Sequence, residues 1–178
     1  SPDSKQFAFS IFSHGKNQMM IINVDNGSTV SKTAMDQVQQ FGNLTWSPNG
    51  KDIAFSGMVE GQSDLFSYNL DTKKITQIIN DVYSDYAPSY SPDGKKLVFS
   101  SDRAAIQGNN INAVNPINLA VYDIASKTVS NLDVFPGANN LNAQFSSNSQ
   151  SIYFLSNRDG FRNLYKYNFA DNSVDQLT

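Results

Sequence analysis

Short apolar runs recur along this chain, and one kind of polar turn introduces each of them. The fullest copy is Ser91-Pro92-Asp93-Gly94-Lys95-Lys96-Leu97-Val98-Phe99-Ser100-Ser101-Asp102-Arg103. The other copies open at Ser1, Ser47 and Ser146 and run into Phe7-Ala8-Phe9, Ile53-Ala54-Phe55 and Ile152-Tyr153-Phe154. The turn follows from its chemistry. Proline presets φ at the first central position, Asp or Asn bonds the backbone two residues on, and glycine accepts a positive φ. The four serines stand 46, 44 and 55 residues apart (47 − 1, 91 − 47, 146 − 91). A period of roughly forty to fifty residues marks a repeat architecture.

Within each repeat the pattern predicts four strands, A to D. Strand A covers 43–46, 87–90 and 141–145, and the first repeat lacks it because the chain begins in the turn between A and B. Strand B covers 6–12, 52–57, 96–101 and 151–156; strand C covers 18–24, 64–70, 118–124 and 163–169. Strand D is short and polar, at 29–33, 74–79, 128–132 and 174–178. Strands B and C are apolar on both faces, as in sheets covered on both sides, and a polar strand D suits an outer edge. No stretch shows a sustained helical period with caps. The expected fold is all-β: about four four-stranded antiparallel blades of a partial or open β-propeller. It forms a single segment over 1–178, with blades near 1–40, 41–84, 85–138 and 139–178.

Composition narrows the function. Charged residues are 16% and aromatics 12%, which suits a packed chain and not a disordered one. A net charge of −3 with no Lys/Arg cluster argues against a nucleic-acid partner. There is no cysteine, so no disulfide, thiolate zinc site or cysteine nucleophile is possible. No run of about 18 apolar residues is present for direct membrane insertion, and no signal peptide is visible. The chain opens inside a repeat and without Met, which reads as a piece of something longer.

The Ser-Pro-Asp-Gly-Lys-Lys-Leu-Val-Phe-Ser-Ser-Asp-Arg run of residues 91–103 resembles the repeat of TolB-type, WD-repeat-like propellers. So do Asp64-Leu65-Phe66-Ser67-Tyr68, Asn118-Leu119-Ala120-Val121-Tyr122-Asp123, Asn163-Leu164-Tyr165-Lys166-Tyr167 and the closing Asp175-Gln176-Leu177-Thr178. The resemblance covers nearly the whole chain. It implies a bacterial cell-envelope protein in the periplasm or another extracytoplasmic space. The same repeat also occurs in propellers attached to prolyl-oligopeptidase-type peptidases and in oligogalacturonate lyases. Propellers of this family usually have six or more blades. Four repeats therefore imply further blades in a parent chain, or self-association through two exposed apolar blade faces.

Candidate chemistry is sparse. His14 is the only histidine. A Ser-His-Asp triad could use it, but no Gly-x-Ser-x-Gly elbow is present, and one His offers too few ligands for a metal. It reads as an exposed loop residue, and the histidine-rich metal centre of the lyase branch is missing. No catalytic residue, metal site or cofactor is expected. Asp102-Arg103 and Asn157-Arg158 stand at equivalent ends of strand B and read as a blade-to-blade ion pair or a loop lock. Asp85 and Tyr86 precede strand A at the mouth of the expected channel, with Phe41-Gly42-Asn43 and Asn139-Asn140-Leu141 at matching positions. Asp85, Tyr86, Asn139 and Asn140 are candidates for a ligand- or peptide-contacting rim; the plainer reading has them solvate the channel and close the turn. The third repeat has an Asn-rich insertion at 104–117, whose Asn109, Asn110 and Asn112 are further candidates. Insertions often lie on a binding face, although a longer loop is also tolerated at little cost. The aromatics Trp46, Tyr90 and Phe145 and the Met19-Met20 pair read as core.

Two functions are therefore carried forward. One is a non-catalytic protein- or peptide-binding scaffold of the cell envelope. The other is an accessory propeller that gates substrate for a peptidase or other hydrolase whose catalytic domain lies outside this chain.

Overall fold

The computed structural model describes residues 1–108 and 116–178. Among them are fifteen strands and one short helix. The strands are β1 (Gln6–Ser13), β2 (Lys16–Asn23), β3 (Thr29–Ala34), β4 (Gln40–Trp46), β5 (Asp52–Val59), β6 (Gln62–Asn69), β7 (Ile75–Gln77) and β8 (Asp85–Tyr90). They continue as β9 (Lys96–Ser101), β10 (Asn118–Asp123), β11 (Thr128–Leu132), β12 (Asn140–Phe145), β13 (Ser151–Ser156), β14 (Asn163–Asn168) and β15 (Val174–Gln176), with helix α1 (Arg103–Gln107) between β9 and β10. Four antiparallel sheets result, and in each the spatial order is the chain order: β1-β2-β3, β4-β5-β6-β7, β8-β9-β10-β11 and β12-β13-β14-β15. These are the expected propeller blades, the first without its innermost strand.

The sheets fall into two compact units, Ser1–Val82 and Tyr83–Thr178. Each unit packs two sheets face to face. In the first, Met19 and Ile21 of β2 meet Phe41, Ile53, Phe55, Phe66 and Tyr68 of the second sheet. In the second, Val98, Leu119 and Val121 meet Ala143, Ile152, Phe154, Tyr165 and Tyr167. A fully buried Phe or Leu contributes about 1.5–3 kcal/mol, so these paired faces hold each unit together. The outermost strands β7 and β15 are only half-buried or exposed, as their polarity predicts. Trp46 and Phe145 pack against the edges of the two cores, and Met19 is buried while Met20 is half-buried.

The repeated turn is wired alike in all four copies. In the third, Ser91 Oγ donates to Asp93 Oδ1 at 2.6 Å and accepts from Lys96 N at 2.9 Å, while Lys95 N donates to Asp93 Oδ1 at 3.1 Å. Ser1/Asp3, Ser47/Asn49 and Ser146/Asn148 repeat the pattern. The fourth position needs a left-handed backbone. Gly50 and Gly94 supply it at φ 72° and 70°, and Ser4 and Ser149 are held at φ 60° and 59°.

Two features differ from the sequence-based expectation. Strand A begins two to three residues early in the second and third sheets, because a bulge hides the alternation there. Register slips between Gly42 and Thr45, Tyr86 and Ser89, and Leu141 and Gln144. At each slip one residue is left-handed: Asn43, Ala87 and Asn142, at φ 53°, 50° and 55°. Second, the insertion of the third repeat opens as helix α1 instead of a loop. Ala104 and Ala105 favour helix, Asp102 N-caps it without a side-chain bond, and Gly108 ends it. The candidates Asn109, Asn110 and Asn112 lie outside the described residues.

Candidate functional site

In a four-stranded meander the start of A, the end of B, the start of C and the end of D share one end of the sheet. Every remaining candidate residue lies at that end. The pairing also corrects the alignment of the repeats by one residue. Phe41 pairs with Gly57, Asp85 with Ser101 and Asn140 with Ser156, so Asn140, and not Asn139, is the counterpart of Asp85.

This one position is filled three ways. In the second sheet Phe41 stacks edge-on against Phe55, with centroids 5.4 Å apart. Its partner must be small: a Cβ on Gly57 would come within 2.9 Å of the Phe66 ring and 3.0 Å of Val38. In the third sheet Asp85 is 0% exposed. Arg103 Nη2 donates to both of its oxygens, at 2.9 and 2.7 Å, and Ser101 Oγ donates to Oδ1. Arg103 Nε donates to Ser101 Oγ at 3.0 Å, and the guanidinium lies 5.0 and 5.5 Å from the centroids of Tyr83 and Phe99. This is a bidentate, desolvated pair with a hydroxyl filling the third side. In the fourth sheet Asn140, also 0% exposed, donates through Nδ2 to Asn118 Oδ1 at 3.0 Å and Val134 O at 2.7 Å.

The expected rim therefore divides. Asp85 and Asn140 face inward, because strand pairing places them opposite the buried Ser101 and Ser156. Tyr86, the next residue, is 39% exposed on the bulge beside Ala87. Asn139 is half-buried; its Oδ1 accepts from Ile117 N at 2.9 Å and its backbone N donates to Asn157 Oδ1 at 2.8 Å. Ser84 N donates to Asp102 Oδ1 in the same way at 2.8 Å. Asp102 and Asn157 are thus loop locks within their own sheets. Arg103 pairs with Asp85 of its own sheet.

Arg158 matches Arg103 in sequence but not in position. The counterpart of Asp85 here is the neutral Asn140, which offers a guanidinium no charge partner. Arg158 instead lies 4.2 Å over the Phe135 ring, with Nε 3.4 Å from Asp159 Oδ1. Phe135, Pro136, Gly137, Ala138, Asn157 and Arg158 line an open hollow of about 520 Å³. Phe135 has φ 42°, a conformation that costs a residue with a Cβ about 1–2 kcal/mol. It is held there by edge-on contact with Tyr165 at 4.9 Å and by Ala138 N donating to its carbonyl at 3.1 Å. Burial raises the pKa of Tyr165, and its hydrogen bond to Asp159 raises it further, so the phenol stays a donor to Asp159 Oδ2 at 2.7 Å. The sequence reading passed over this hollow; Pro136-Gly137 beside an aromatic was the available signal.

His14 sits with Gly15 in the two-residue turn between β1 and β2, both at positive φ, 54° and 74°. Glu60-Gly61 has the same geometry between β5 and β6. Such turns select for φ > 0 at both centres. His14 is exposed, and its Nδ1 meets Ser13 Oγ at 2.8 Å. It is a turn residue, as expected for an exposed loop.

Comparison with known proteins gives consistent results. The family model of the TolB beta propeller domain matches residues 1–109, more than half of the 178. Dipeptidyl-peptidase 5 of Porphyromonas gingivalis is 26% identical over 144 residues, which is 76% of this chain and 20% of that protein. TolB from Acinetobacter baumannii superposes with a TM-score of 0.79 at 22% identity, covering 99% of this chain and 41% of that one. A TolB-like structure from Agrobacterium tumefaciens gives 0.81 at 19% identity, over 100% of this chain and 62% of that one. The chain thus spans a fifth to three fifths of the proteins it matches.

Proposed function

This chain belongs to the TolB β-propeller domain family, and from that premise we propose that it is a non-catalytic scaffold that binds a protein or peptide outside the bacterial cytoplasm. The observation that carries the reading is the exposure of Tyr86 on a bulged strand whose preceding residue is anchored. Tyr86 is an exposed aromatic at the start of β8, and the strand is fixed one residue earlier by the buried Asp85–Arg103 pair, so its backbone is preorganised for contact. Little ordering entropy is then lost when a partner docks. Tyr86 and Asn139 are the rim residues assigned to the partner.

The test selects peptides from a displayed random library on the purified chain, then measures affinity for Tyr86→Ala. The expected result is a loss of about tenfold or more, as for a central aromatic anchor. Turnover of dipeptidyl or prolyl anilide substrates by the chain itself, abolished by His14→Ala, would overturn the reading.

A second reading is favoured by the likeness to Dipeptidyl-peptidase 5: the propeller gates substrate for a peptidase domain outside this chain. The flanking gene sequence discriminates. A Gly-x-Ser-x-Gly elbow would favour gating, and a peptidoglycan-binding domain would favour the envelope scaffold.

A further inference from the structure

The hollow beside β12 and β13 has the composition of a small recognition site. Its floor is apolar, from Phe135, Pro136 and Ala138, and its polar groups are Asn157 and Arg158. The Arg158 guanidinium is stacked on Phe135, and Nε is steered by Asp159 at 3.4 Å, with both side chains about half exposed. Asp159 is itself fixed by the Tyr165 hydroxyl. Among the described residues, the Nη donors of Arg158 and the Nδ2 donor of Asn157 meet no acceptor. A stacked, half-desolvated guanidinium with its fork unused matches a carboxylate in geometry and charge. One cation beside one anion leaves the hollow near neutrality, so a dianionic phosphate is disfavoured. The strained Phe135 is consistent, since left-handed non-glycine residues gather at ligand clamps.

The geometry points to this hollow as a site for a peptide carboxylate, with an apolar side chain next to the acid seated on Phe135, Pro136 and Ala138. This rests on the peptide-binding reading above and names the chemistry of the partner. The carboxylate comes from a free C-terminus or from an Asp or Glu side chain, and one experiment separates the two.

Three N-acetylated, fluorescein-labelled hexapeptides ending in Ala-Leu are titrated into the full 178-residue chain at low salt. One has a free C-terminus, one a C-terminal amide, and one the amide with Glu before Ala-Leu. Binding of the first alone identifies a terminal carboxylate, and binding of the third identifies a side chain; either supports the site. Arg158→Gln is expected to weaken the bound peptide about 10- to 100-fold, the effect of one charged hydrogen-bonded contact. Arg158→Lys keeps the charge but loses the fork, and falls between. Asp159→Asn removes the competing carboxylate while sparing an acceptor for Tyr165, and is expected to tighten binding severalfold. Circular dichroism melts establish that each variant is folded. Equal affinity for the acids and the plain amide, no binding of any peptide, or an unchanged affinity in Arg158→Gln overturns the site. If library-selected peptides still bind in a Tyr86-dependent way in that case, the scaffold reading stands without it.

Discussion

The repeated turn shows how single residues divide a shared task. Ser91, Ser1, Ser47 and Ser146 each receive a backbone N–H and donate to the Asp or Asn two residues on. Two of the four acceptors are carboxylates, Asp3 and Asp93, and two are the neutral Asn49 and Asn148. For Asp93, the Ser91 hydroxyl and then the Lys95 amide stabilise the ionised form and lower its pKa; Asp3 is lowered by the same two bonds from Ser1 and Lys5. A carboxylate lowered in the folded state contributes stability above its unfolded pKa, near 3.9. That contribution is lost as pH falls through the folded value. The amide turns carry no such dependence. Asp93→Asn is therefore expected to flatten the decline in urea midpoint below about pH 4 and to leave the neutral-pH midpoint nearly unchanged. An unaltered slope would show that this turn does not couple to unfolding.

At the scale of the element, much was legible and some was not. Strand B could be located from Phe7-Ala8-Phe9, Ile53-Ala54-Phe55, Leu97-Val98-Phe99 and Ile152-Tyr153-Phe154, because residues apolar on both faces demand cover on both faces. The onset of strand A was not legible. A bulge inserts a left-handed residue, and Ala87 gives no hint of one, unlike Asn43 and Asn142. That slip also hid which residue stands opposite Ser156, and so hid the kinship of Asp85 with Asn140. Nor could pattern reading distinguish Arg103 from Arg158, since the difference is made by a residue 18 positions away from each: Asp85 (103 − 85) in one case and Asn140 (158 − 140) in the other. The third sheet depends on that pairing. Asp85→Asn removes the buried carboxylate that accepts two hydrogen bonds from Arg103, at an expected cost of about 3 kcal/mol in the urea-unfolding free energy. The double variant Asp85→Asn/Arg103→Met is expected to recover much of the loss. If the single and double variants are equally destabilised, the pair is not what holds α1 against β8.

At the scale of the whole molecule, the two units each have a buried apolar core, and the first also has an exposed apolar face. Side chains alternate along β1 and β2, so Phe7, Phe9, Met20 and Ile22 lie opposite the Met19 and Ile21 side that enters the core. Phe7 is 57% exposed and stacks on Phe9 at 5.6 Å. Contiguous apolar surface of this kind drives association. Sedimentation velocity on the isolated chain is expected to show concentration-dependent growth in mass, suppressed by Phe7→Ser. A monomer at every concentration would contradict this. The strand order has a different consequence. Among the described residues each sheet is made only of consecutive strands, the repeated turn before each strand B is closed by bonds spanning five residues or fewer, and no crossover ties one sheet to another. A gene can therefore gain or lose one such module by in-frame duplication or deletion without rethreading the others. During synthesis, each hairpin closed by the repeated turn can form as soon as it leaves the ribosome, well before its neighbours are translated.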